Sequence, residues 1–181
     1  MATRAILTYA DYAALPADGR RSEVHRGELS VTPAPGPRHQ ETALNLATLL
    51  QAHVKANGLG KILTAPIDCI LSDTTIVQPD ILHIARERLA IVSERGIEGA
   101  PTLVVEILSP STAGMDRGRK RDLYAQHRVP CYWIVDPDAR VIDVLVLVEA
   151  RYQVAGHLVG GQPTTLYPFS GLVIDPVSVW P

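Results

Sequence analysis

Hydrophobic positions along the chain follow two rhythms. From about His39 to Asn57, Ala43, Leu46, Ala47, Leu50 and Val54 recur at helical spacing, and Gly58 supplies the stop, which predicts a long amphipathic helix. Beyond it the period shortens. Residues 61–71 and 75–84 are β-rich runs separated by a Ser72-Asp73 turn, and residues 101–109 are apolar on both faces, as a strand buried on two sides must be. Residues 116–128 predict a second helix with Asp116 as its N-cap. Residues 131–135 and 141–148 then form a hairpin around Asp136-Pro137-Asp138.

The flanks are shorter pieces. Residues 8–15 predict a small helix capped by Thr8 and stopped by Pro16, and residues 22–31 a hairpin arm turning at Arg26-Gly27. The segment from Pro33 to Pro37 reads as a rigid loop, residues 88–95 as a helical turn, and 152–154, 164–167 and 172–174 as short strands. The order is a mixed α/β sandwich, because the regular βαβαβα alternation of a doubly wound sheet is missing. The expectation is one domain over 1–181, with a core at about 39–148, an N-terminal arm at 1–38 and a β-rich extension at 149–181.

Composition narrows the function. Of 181 residues, 46% are hydrophobic and 20% charged, with 17 basic against 19 acidic, so neither a disordered chain nor a generally basic nucleic-acid coat protein is expected. No apolar run approaches the ~18 residues of a membrane span, and residues 1–4 run into Asp11 without a signal-peptide core. Two distant cysteines, Cys69 and Cys131, form no CxxC, which speaks against a disulfide framework and suits a reducing, cytoplasmic setting.

Three side chains carry candidate chemistry. Glu106 sits in Leu103-Val104-Val105-Glu106-Ile107-Leu108, where a carboxylate is expensive to desolvate unless a cation or strong donors offset the cost. It is a metal ligand, a structural ion pair with an arginine, or a strand-end group reaching solvent. Asp80 follows Pro79, which breaks a β-ladder and re-aims the next side chain; the alternative is a solvated Pro-Asp turn. Lys120 heads the helical stripe of Leu123, Tyr124 and His127 that faces the sheet, or else snorkels past the core edge. Two carboxylates from neighbouring strands suit a hard cation, Mg²⁺ before Mn²⁺. An ammonium beside them positions a water, or helps deprotonate it if burial and the metal lower its pKa, and such a site hydrolyses phosphodiesters. Spacing excludes a phosphate-binding loop at 114–120, and no GxSxG elbow is present.

The same residues carry a family resemblance. Gln78-Pro79-Asp80, the stretch from Pro101 to Thr112, Asp116-Arg117 with Lys120, and Val129 to Pro137 resemble the Uma-type restriction endonuclease family of the PD-(D/E)XK nuclease superfamily. Glu23, Gly27-Glu28-Leu29, Pro37 and His39 are similar to its N-terminal pattern. The resemblance implies a restriction-endonuclease-like core, a central mixed sheet flanked by helices in the order α-β-β-β-α-β, with Asp80 and Glu106 as metal ligands. It also implies a departure. Position 108, where the superfamily lysine stands, is leucine, and Lys120 on the following helix takes its place. Glu23 and His39 are secondary candidates, for a second metal position or for orienting the first.

The implied partner is DNA, and a homodimer is expected by analogy with duplex-cutting enzymes. Arg117, Arg119 and Arg121, in a locally basic helix, are candidates to track a phosphate backbone or are simply a solvated face. The Ser109–Thr112 stretch makes loop hydrogen bonds or a phosphate contact. The rival to an Mg²⁺-dependent endodeoxyribonuclease is a catalytically silent DNA- or protein-binding module on the same fold. A third reading is a hydrolase of small phosphoesters.

Overall fold

The computed structural model describes residues 5–16, 19–110 and 112–181. Residues 1–4, expected to open no signal segment, and Ser111 of the candidate phosphate-contact stretch lie outside the described residues. The first helix, α1 (Tyr9–Ala13), opens with the Thr8–Asp11 capping box. Strands β1 (Arg21–His25) and β2 (Glu28–Thr32) form the hairpin, and both turn residues, Arg26 and Gly27, have positive φ as a type I′ turn demands. Helix α2 (Pro37–Ala56) buries Thr42, Leu46, Ala47, Leu50 and Val54.

The next segment departs from its sequence pattern. Each of the two long β-runs breaks in half, near Pro66 and Pro79. They become β3 (Gly60–Thr64), β4 (Cys69–Ser72), β5 (Thr75–Val77) and β6 (Ile81–Ala85). Proline cannot donate to a ladder, so the chain leaves one sheet and joins another at these points. A 3₁₀ turn (Arg86–Ile91) leads to β7 (Val92–Ser93) and β8 (Gly96–Glu98), so the expected helical turn is shorter and ends in a strand.

Strand β9 (Leu103–Ile107) is buried throughout. Helix α3 spans residues 113–126 and is π-helical over Asp116–Lys120. Asp116 is therefore not an N-cap but an interior, buried residue: the helix starts earlier, and the carboxylate turns inward toward Lys120. The chain closes with β10 (Cys131–Asp136), β11 (Val141–Val148), β12 (Arg151–Val159), β13 (Thr164–Thr165) and β14 (Val173–Ile174).

Two six-stranded mixed sheets result, in the orders β12-β11-β10-β9-β6-β3 and β2-β1-β5-β4-β8-β7. The first is central. Along the chain its core reads α2-β3-β6-β9-α3-β10, the expected α-β-β-β-α-β order, with β9 and β10 parallel across α3. Alternation sorts its side chains. Leu103, Val105, Ile107, Cys131, Trp133 and Val135 pack toward α2, while Val104, Leu108, Tyr132 and Ile134 pack with Leu82 and Tyr124 on the opposite face.

Both flanks are more than appendages. β1 pairs with β5, which makes the hairpin part of the second sheet, and α1 covers Val24, Ile70 and Ile76. The C-terminal extension adds Leu166, Phe169, Ile174, Val179 and Trp180 to the α2 core, and the Trp133 indole donates to Tyr167 O at 2.8 Å. At Gly60 a Cβ would meet Ile84 O at 2.0 Å, so only glycine lets β3 approach β6 there.

Candidate active site

The β6–β9 register pairs Ile81 with Val105 and Leu82 with Val104; one step further sets Asp80 opposite Glu106. Pro79 supplies the crossing between sheets that puts Asp80 at the mouth of this ladder, where its Oδ2 accepts from Ile107 N at 2.8 Å. Asp80, Glu106, Asp116, Lys120, His39 and Arg21 line one cleft of about 210 Å³, closed on one side by residues 32–36.

Lys120 reaches Glu106 from α3. Its Nζ donates to Glu106 Oε1 at 3.0 Å and lies 3.1 Å from Glu23 Oε1 and 3.8 Å from Asp116 Oδ1. Tyr124, one turn on, donates its hydroxyl to the same Glu106 oxygen. The lysine thus arrives from the helix, while Leu108 is packed in the apolar layer between the sheets.

Glu23 and His39 part company. His39 lines the cleft, with Nε2 3.1 Å from Asp80 Oδ2. Glu23 is fully buried beneath Lys120, accepts from Gln78 N at 2.6 Å and lies 3.0 Å from His25 Nε2; it is not among the residues lining the cleft.

Sequence reasoning missed Arg21, which donates to Asp80 Oδ1 at 3.0 Å and to Gln78 O. Nothing local marks it: it opens a hairpin strand, and its partner stands 59 residues away. His25, Tyr124 and Asp116 were also overlooked as site members, although Asp116 and Lys120 stand at i, i+4.

The electrostatics follow from crowding. Four acids, Glu23, Asp80, Glu106 and Asp116, share a buried region with two permanent cations, Arg21 and Lys120. Burial pushes the Glu106 carboxyl up to about 8; Lys120 opposes the rise, and Asp116, Asp80 and Glu23 add to it. Burial likewise raises Asp116. Asp80 goes the other way, because His39, Arg21 and the Ile107 amide outweigh its desolvation. Desolvation alone would lower Lys120, yet Glu106, Glu23 and Asp116 hold its pKa above the ordinary lysine value. The three acids around Lys120 thus favour its charged form.

The three candidate DNA-tracking arginines each have a protein partner. Arg117 bridges Asp136 and Asp143, Arg119 donates to Glu28 Oε2 at 2.6 Å, and Arg121 donates to Tyr152 O. Among the described residues, no three His, Cys, Asp or Glu side chains converge as a ready-made metal cage. Mg²⁺ needs only one or two carboxylates and keeps several waters, so Asp80 and Glu106 are the cleft residues that could hold one.

A family model described as "Uma2: Putative restriction endonuclease" matches residues 9–176. The chain belongs to this family. The Uma2 fold has a solved counterpart in a "putative nuclease belonging to DUF820" from Anabaena variabilis, similar at a TM-score of 0.78 and 19% identity, covering 96% of this chain and 97% of that one. Comparison with curated proteins gives no significant match. Uma2 membership supports a nuclease function, and with it a DNA substrate. No helix among the described residues is long and apolar enough to cross a membrane.

Proposed function

We propose that this Uma2 protein is a metal-dependent endodeoxyribonuclease whose active site is the Asp80–Glu106–Lys120 cleft. The observation that carries the reading is the cross-strand placement of Asp80 and Glu106 with the Lys120 ammonium 3.0 Å from Glu106. These groups are far apart in sequence, and nothing in the apolar layer requires them to meet. Asp80 and Glu106 would hold a Mg²⁺, whose chemistry there would be Lewis-acid stabilisation of the phosphate.

The protein does the rest. His39, Arg21 and the Ile107 amide favour the ionised form of Asp80 and fix its orientation as a ligand. Lys120, held charged by three acids, offers a pre-positioned cation where negative charge grows on the phosphate during in-line attack by water. Glu23, itself held by the Gln78 amide, anchors that cation from beneath, in place of the second metal position the sequence pattern admitted.

The test is cleavage of a panel of single-stranded, duplex and supercoiled DNA with Mg²⁺ or Mn²⁺. Metal-dependent cleavage that disappears in Asp80→Ala and Glu106→Ala is expected. Inertness of the folded protein across the panel and both metals overturns the proposal and leaves the binding-module reading. Cleavage of nucleotide phosphoesters without cleavage of polymers would instead point to a small-substrate hydrolase.

A further inference from the structure

Three buried tyrosines, Tyr124, Tyr132 and Tyr152, form a row in which neighbouring ring centroids are 5.1 and 5.8 Å apart. Their rings share one apolar cluster, yet their hydroxyls go to different places. Tyr132 donates to Asp116 O at 3.0 Å and Tyr152 to Val129 O at 2.8 Å, both backbone carbonyls. Tyr124 alone of the three donates to a carboxylate of the cleft, at Glu106 Oε1.

That bond does not neutralise Glu106, because a phenol brings no charge and Lys120 already supplies one. What it adds is direction. The last torsion of a glutamate is broad, so a single donor leaves the carboxylate plane loosely set. Lys120 is a donor on a flexible stem, and it is shared among Glu106, Glu23 and Asp116. Tyr124 stands one helical turn beyond it with its ring packed on Tyr132, so the second donor comes from a rigid mount. Both bonds fall on Oε1 rather than Oε2.

We propose that Tyr124 is a positioning residue: with Lys120 it commits Glu106 Oε1 to the protein and leaves Oε2 as the one oxygen offered to a divalent cation in the cleft. The inference rests on the nuclease reading of the cleft and deepens it. A carboxylate offered through one oxygen suits Mg²⁺ or Mn²⁺, which then keeps positions for water and phosphate. Groups that hydrogen-bond a metal-binding carboxylate set its orientation, and affinity drops when they are removed.

Mn²⁺ is titrated into the folded protein without DNA, and the free ion is read by electron paramagnetic resonance. Tyr124→Phe keeps the ring and removes only the hydroxyl; its Mn²⁺ affinity is expected to fall at least about tenfold. Tyr152→Phe is the control. It also loses the bond of a buried hydroxyl, but outside the cleft, and its Mn²⁺ affinity should stay at the wild-type value. Wild-type affinity in Tyr124→Phe, or an equal fall in both variants, overturns the inference, since a purely structural hydroxyl gives those results. A second readout needs no substitution. With ¹³C in the glutamate carboxyls, infrared difference spectra on adding Mg²⁺ should show the two carboxylate stretches moving apart, the sign of coordination through one oxygen. Stretches that move together, the sign of coordination through both, overturn it. A wild-type protein that binds no Mn²⁺ and cleaves nothing overturns the metal-dependent reading as well, whereas intact wild-type binding and cleavage with an unaffected Tyr124→Phe overturns this inference alone.

Discussion

The two faces of the central sheet are built from alternate residues of the same strands, yet they do opposite work. On the α2 face, Leu103, Val105 and Ile107 join Leu46, Leu50 and Val54 in one apolar cluster. On the other face, Val104 begins the same kind of packing, but the next position is Glu106. From there the layer becomes a network of Lys120, Glu23, Asp80, Arg21 and Asp116. The first face is stable because it excludes water; the second is tolerated because nearly every charge has a counter-charge. A buried network of this kind adds little net stability and costs much when broken. Stability and chemistry are thus separated by a single step along β9.

The largest expected effect lies on the charged face. Glu106→Gln keeps the shape of the side chain but removes its charge, and DNA cleavage should fall by about 10²–10³-fold or more. Because Lys120 keeps Glu23 and Asp116 as partners in this variant, urea denaturation should show a far smaller change in stability than in cleavage. Loss of both stability and cleavage would erase the contrast between the faces.

Lys120→Ala should cost about 3–5 kcal/mol, since Glu106 and Glu23 are left buried without their cation. Combining it with Glu106→Gln should cost less than the two single changes summed, a coupling read by a double-mutant cycle. Leu50→Ala is the mirror experiment on the apolar face. It should cost about 2–5 kcal/mol in unfolding and leave the cleavage rate of the remaining folded protein unchanged.

The smallest effect concerns His83, whose pKa burial lowers and whose Nε2 lies 3.1 Å from Leu59 O. Above the unfolded value of about 6.5 both states are neutral and the residue adds no pH dependence. As pH falls below that value the unfolded chain binds a proton before the native one does, so stability declines. His83→Asn should flatten that part of the stability–pH curve, while a slope unchanged in the variant assigns it to another group.

Local elements were legible because their signals are local. The Thr8–Asp11 box, the Arg26-Gly27 turn and the Leu46–Leu50–Val54 stripe each depend on neighbours within a few turns of chain. Glu106 stood out because a carboxylate flanked by aliphatics must be matched by something, and Asp80 because Pro79 ends a ladder. The partition of 61–71 and 75–84 between two sheets was not legible. A strand pattern reports that a segment is buried, not against which sheet, and prolines mark the break without naming the new partner. Arg21 and His25 carried no signal at all, since their importance comes from positions 80 and 23 meeting them in space. The arginines of α3 mislead for the same reason: a basic helix looks free until Asp136, Asp143 and Glu28 are found beside it.

The order of elements, the strand that carries Glu106 and the helix that carries Lys120 were thus determined by the sequence alone, through periodicities that each segment holds within itself. Tertiary structure decided that Asp80 lies opposite Glu106, that Lys120 meets three acids, and that Glu23 anchors it from below. Those outcomes are sums of Coulomb and desolvation effects over groups contributed by four separate segments. Such sums have no value until the chain has folded and set the distances between them.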